Sequence, residues 1–227
     1  MVAGTARSYG NDVQERAMPA TSTLIVSTGT DAHMNAALTL SDLPSVEEYA
    51  QSREALRAAV IAAKKARQIR IGENATLLFE NRDTVKYQIL EMLRIEKTCD
   101  PAAIQDELDA YNPLIPGGSD WRATMLVEFE DAEERRVQLK YLRAVEHAVY
   151  VRIGDRRIAV VADEDMERSD DEKTSAVHFL RFPLDAEAKA ALAGGADLAF
   201  GIDHPRYRYE TPVTEPAVRA SLLGDLD

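Results

Sequence analysis

The stretch Trp121-Arg-Ala-Thr-Met-Leu-Val-Glu-Phe129 places Trp121, Ala123, Met125, Val127 and Phe129 at every second position, with Arg122, Thr124 and Glu128 between them. That period of two sends the apolar set to one side of a pleated chain and predicts a half-buried β-strand. Beyond this strand, Asp131 and Glu134 form a helix capping-box pattern, after which Val137, Tyr141, Val145 and Ala148 recur on one side. Val149–Ile153 and Ile158–Val161 predict a hairpin that turns at Gly154-Asp155. Ser175–Phe182 reads as another strand, Asp185–Ala193 as a short helix stopped by Gly194-Gly195, and Leu198–Ile202 as a last strand. The order is close to a ferredoxin-like split βαβ unit with an extra strand.

The first half supplies helices. Val46, Tyr49, Leu56, Val60 and Ala63 lie at helical spacing, and the basic end Lys64, Lys65 and Arg67 complements the helix dipole. A hairpin follows, Ile69–Ile71 with Ala75–Phe79, and then a helix from Asp83 or Thr84 to about Cys99. Pro101 opens a third helix that ends by Asn112-Pro113, and Ile115–Asp120 is a loop. The fold class is therefore α+β, with a mainly antiparallel sheet flanked by helices. Residues 1–33 are rich in Ser, Thr, Gly and Ala without a period, so a disordered extension ahead of Met34 is expected. Residues 34–210 are expected to form one domain, and 211–227 a loosely attached tail.

A net charge of −12 over 227 residues argues against general nucleic-acid binding or docking on an anionic membrane. Leu24-Ile25-Val26 is too short for a signal-peptide core, which with the single Cys99 suits a cytoplasmic, reducing setting. One cysteine also excludes an internal disulfide or a cysteine-only metal site within a single chain. Neither a phosphate-binding loop nor a G-x-G-x-x-G turn is present, nor a nucleophile elbow or H-E-x-x-H.

Some residues sit where structure alone does not ask for them. On helix 84–98, Glu96 falls on the stripe of Val85, Ile89 and Met92. A carboxylate there needs an arginine or lysine, a metal or a proton. His178 shares a strand face with Ala176, Leu180 and Phe182, and a hydrogen-bonded core histidine competes with a ligand or proton carrier. His204 follows Asp203 at a strand end, and the two point to opposite faces. Arg206-Tyr-Arg-Tyr209 suits an edge strand with one aromatic face better than a nucleic-acid strip. Asp163–Glu172 suits a solvated connection better than a calcium loop. The candidate binding set is Glu91, Glu96, Tyr111, His178 and His204.

Several stretches together resemble a bacterial family known only as a domain of unknown function. They include Thr39–Leu43, Val46–Tyr49, Thr76–Glu80, Tyr87–Glu96, Glu107–Pro116, Ala162–Asp165, Glu172–Phe182 and Asp203–Pro205. The resemblance spans residues 36–208. It carries no established activity, and the cofactor, if any, is left open. It implies a gene neighbourhood with rubrerythrin-like di-iron proteins and iron–sulfur oxidoreductases resembling a heterodisulfide reductase subunit. The leading expectation is an accessory or binding protein working with those redox partners in oxidative-stress metabolism. The alternative is a small metal-binding protein or enzyme with a Glu/His site.

Overall fold

A computed structural model describes residues 35–162 and 174–227. The expected extension 1–33 and the acidic stretch Asp163–Glu172 lie outside the described residues. Elements follow in the order α1 (Val46–Lys65), β1 (Gln68–Ile71), β2 (Ala75–Phe79), α2 (Arg82–Glu96), α3 (Pro101–Tyr111) and β3 (Asp120–Val127). Then come α4 (Ala132–Tyr141), β4 (Val149–Ile153), β5 (Arg156–Ala159), β6 (Val161–Ala162), β7 (Val177–Pro183), α5 (Ala186–Ala193), β8 (Leu198–His204), β9 (Tyr207–Pro212) and α6 (Pro216–Leu223). The class is α+β with antiparallel sheets.

The alternation in β3 governs the interior. Trp121, Ala123 and Met125 pair with Phe182, Leu180 and His178 of β7, and Ala123, Met125 and Val127 pair with Phe79, Leu77 and Ala75 of β2. These residues share one face of a five-stranded sheet ordered β1-β2-β3-β7-β6. A second sheet, β5-β4-β8-β9, turns Val149, Val151, Ile153, Leu198, Phe200 and Ile202 toward it. Phe79, Trp121, Phe182 and Phe200 fill the space between, with ring centroids 5.0 to 6.3 Å apart and several pairs edge-on or tilted. Such offset contacts add to the area each ring buries.

The second half is thus not a single split βαβ sheet. β3 and β7 pair antiparallel in one sheet, while β4 and β8 pair in the other. The sequence pattern could not settle this, because alternation fixes which face a residue takes and not which strand lies beside it. The two sheets close on each other at both sides. On one, β5 runs into β6 through Val160 and so changes sheets; on the other, Tyr207 of β9 holds the β1–β2 turn. Its hydroxyl donates to Ile71 O (2.6 Å) and accepts from the Asn74 and Ala75 N–H groups (2.8 and 3.1 Å), which uses its whole bonding capacity.

Helical segments plug the two ends of this flattened barrel. Leu139, Leu142 and Val145 enter one end, and Leu192, Val218 and Leu222 the other. The helix expected after Asp131 stops at Tyr141, and Ala144 takes a left-handed conformation. That break shifts the phase, so Val137 and Tyr141, expected inward, are exposed while Leu139 and Leu142 are buried. Residues 211–227, expected as a loose tail, are instead built into the core. Leu222 is fully buried and its carbonyl accepts from the Trp121 indole N–H at 2.8 Å. Asp225 forms a buried ion pair with Arg67, whose guanidinium also bonds Phe79 O, Glu80 O, Ser221 O and Ser221 Oγ. Away from the barrel, α2 and α3 enclose a small separate core of Leu38, Val85, Ile89, Leu108 and Ile115.

Candidate functional site

The five candidate residues do not meet in one place. Glu91 lies between α1 and α2, gripped by Arg53 at 2.7 and 2.9 Å, by Arg94 at 3.2 and 3.1 Å, and by the Tyr49 hydroxyl at 2.6 Å. The Arg53 hydrogen bond, outweighing burial, holds its carboxyl down to about 2. The arginine partner that a carboxylate at Glu96 was expected to need is instead found at Glu91. Glu96 is exposed as the last residue of α2, beyond the turn that packs, and its charge joins burial in raising the Glu107 carboxyl. Tyr111 is half-buried against the small helical core. Because the Glu91 pKa is depressed, its contribution to stability is present above the ordinary glutamate range and is lost as pH falls toward 2. Glu91→Gln is expected to cost about 1 kcal/mol at neutral pH. In urea unfolding, the gap between variant and wild type should close as the pH approaches 2.

His178 and His204 both reach the segment between α4 and β4. His178 is buried, with Nε2 at 2.9 Å from Ser175 O and 3.1 Å from Thr174 Oγ1. A carbonyl only accepts, so Nε2 carries hydrogen, and Thr174 passes its own hydrogen to Glu146 Oε2 at 3.2 Å. Nδ1 lies 3.9 Å from the same Glu146 oxygen. His204 has Nε2 at 3.1 Å from Arg143 O, while its Nδ1 accepts from Arg206 N–H at 3.2 Å, a neutral tautomer that closes the β8–β9 turn. Among the described residues, no three His, Cys, Asp or Glu side chains gather as a metal cage, and no helix is long and apolar enough to cross a membrane.

A different constellation stands on the outer face of the four-stranded sheet. Tyr150 and Arg152 of β4, Arg157 of β5, Gly201 and Asp203 of β8, and Arg208 and Glu210 of β9 share this face by register. Tyr150 lies over Gly201, where an added Cβ would come within 2.3 Å of the phenol. The Tyr150 hydroxyl donates to Glu210 at 2.9 Å, and Arg152 Nε donates to the same carboxylate at 2.9 Å. Burial opposes them, yet these bonds keep the Glu210 carboxyl below its ordinary value, while burial raises the Tyr150 phenol. The Arg157 guanidinium lies over the Tyr150 ring at 4.3 Å, with Glu210 and Asp203 oxygens no nearer than 3.7 and 3.9 Å. Tyr150, Ile202, Asp203, Arg208, Tyr209 and Glu210 line a shallow depression here. Hydrogen bonds thus tie Tyr150, Arg152 and Glu210 together, while Arg157 stacks on the phenol with more than half of its side chain exposed.

A family model described as a protein of unknown function (DUF3501) matches residues 37–226. This chain belongs to that family. It is also similar to the crystal structure, at 1.90 Å resolution, of a novel protein of unknown function from Burkholderia pseudomallei K96243. The two are 48% identical with a TM-score of 0.79, over 85% of this chain and 100% of the other. None of the curated proteins compared with the chain matches it.

In the DUF3501 chain the outer-face residues were absent from the candidate set, although two signals pointed to them. Alternation in Val149-Tyr-Val-Arg-Ile153 puts Tyr150 and Arg152 together, and a glycine inside a strand marks close approach by another group. The edge-strand reading of 206–209 agrees with the structure: β9 ends its sheet and stacks Tyr207 on Tyr209 at 4.7 Å. Gly201→Val is expected to expel Tyr150 from its seat at a cost of about 1–2 kcal/mol. Loss of the Tyr150–Glu210 bond should appear as a fall in the phenol pKa, followed by ultraviolet titration.

Proposed function

We propose that this protein is a cytoplasmic accessory protein that binds redox partners, rubrerythrin-like di-iron proteins or iron–sulfur oxidoreductases, through the outer face of its four-stranded sheet. The observation that carries this reading is the Arg157–Tyr150–Glu210–Arg152 array, prearranged on a sheet face that is open at Arg157. Tyrosine and arginine dominate the energetics of protein interfaces, because they combine large contact area with directional hydrogen bonding. Side chains already held by stacking and ion pairs lose less entropy when a partner docks. The array replaces the scattered Glu and His residues as the place where binding is expected. Gel filtration of the purified protein mixed with a rubrerythrin-like protein of the same organism tests it. A co-eluting complex that Arg157→Ala abolishes supports the reading. Separate elution at micromolar concentrations of both, repeated with the iron–sulfur oxidoreductase, defeats it.

The buried Glu146–Thr174–His178 contact supports a second reading, a small metal-binding protein or enzyme with a Glu/His site. An imidazole beside a carboxylate in an apolar interior can hold a cation or carry a proton. Elemental analysis of freshly purified protein against Glu146→Gln decides it. Equal metal content in the two, at or near zero, removes this alternative.

A further inference from the structure

The outer face of the five-stranded sheet holds an arrangement that stability does not explain. Arg122 of β3 and Arg181 of β7 are direct cross-strand partners. Side chains in such register start about 5 Å apart, and like charges there repel. Both are half-buried, so solvent screens that repulsion less than at an open surface. Among the described residues only one acid answers the pair: Asp120 forms an ion pair with Arg122, and none is formed with Arg181. Glu80 continues the same row beyond Arg122, but its two oxygens accept from Thr124 at 3.0 Å and Thr84 at 2.6 Å. Asp120 has one oxygen on the Gly117 N–H at 2.8 Å and the other 2.9 Å from Arg122 Nε. That second contact lacks hydrogen-bond alignment, which leaves the buried Arg122 N–H without a proper acceptor. Among the described residues, neither the terminal nitrogens of Arg122 nor the guanidinium of Arg181 hydrogen-bonds another residue.

We propose that Arg122 and Arg181 form a binding site for a phosphoryl group, either free phosphate or a phosphomonoester. A doubly charged tetrahedral anion matches two adjacent guanidinium groups in charge. It also presents enough oxygens to take paired N–H donors from each, the geometry that favours arginine over lysine. Leu78 and Leu126 stand partly exposed on the same face, in register with Thr124 and Thr76, and could receive an apolar body attached to the phosphate. The site is separate from the partner-binding face, which lies on the other sheet.

Isothermal titration at constant ionic strength tests the assignment, with inorganic phosphate and phenyl phosphate as probes and sodium chloride as control. One saturable site is expected, with binding roughly tenfold weaker in Arg181→Gln and partly restored in Arg181→Lys. Tighter binding of phenyl phosphate than of inorganic phosphate would identify an ester as the ligand, and equal binding the free ion. Thermal unfolding supplies the second readout. Without phosphate, Arg181→Gln should melt at or above the wild-type temperature, since a like charge is removed; phosphate should raise Tm more in wild type than in the variant. Heat of binding no greater than that of chloride, equal affinity in Arg181→Gln, or a variant that melts well below wild type in phosphate-free buffer would each overturn the proposal.

Discussion

Ending the chain after Pro212 is expected to abolish folding, not merely to trim an appendage. The lost segment carries Leu222, which is buried against the barrel interior, and the carbonyl that receives the Trp121 indole hydrogen at 2.8 Å. It also carries Asp225, the partner of the buried Arg67 guanidinium. Arg67 is only 3% exposed, so removing Asp225 leaves a cation in low dielectric with only backbone carbonyls and the Ser221 hydroxyl around it, and no counter-charge. Removing one member of a buried ion pair costs about 3–5 kcal/mol, a large part of a typical folding stability. Asp225→Ala alone should therefore lower Tm by roughly 10 °C, read by circular dichroism. The truncated chain should show no cooperative transition. A folded truncation with an unchanged melting curve would mean that α6 is not part of the domain.

Tyr207→Phe is the second substitution with a large expected effect. The ring and its stacking on Tyr209 remain, so only the hydroxyl is tested. That oxygen satisfies Ile71 O, Asn74 N–H and Ala75 N–H, two of them in buried contacts. Buried backbone groups left without partners cost about 1–3 kcal/mol each, and water can rescue the more exposed one. The expected loss is about 2–4 kcal/mol in urea unfolding. Amide exchange should quicken first at Asn74 and Ala75, because the seam between the two sheets opens there before the barrel core.

Much of the fold was legible because period-two alternation in β3 and β7 maps directly onto burial. What remained hidden was non-local. Nothing near Trp121 reveals that β4 and β8 leave its sheet, since register depends on partners far along the chain. Val137 and Tyr141 were misplaced because the left-handed turn at Ala144 resets the helical phase without a glycine to mark it. The tail looked loose because its anchors, Leu222 and Asp225, answer residues far along the chain. The candidate site was less legible still. Glu96 followed the apolar stripe to the exposed end of its helix, whereas Glu91 met Arg53 from another helix. The outer-face array depends on Gly201 yielding space to Tyr150, a juxtaposition that only the paired strands create.

The partner-binding reading stands or falls on whether the ordered outer face contributes affinity. Its most direct test is calorimetric titration of a rubrerythrin-like protein from the same organism into wild type, Arg157→Ala and Gly201→Val, each first verified as folded by its melting curve. The expected result is saturable binding to wild type, with each variant weaker by about tenfold or more, corresponding to loss of an interface anchor. Affinity unchanged in both variants would contradict the assignment of this face.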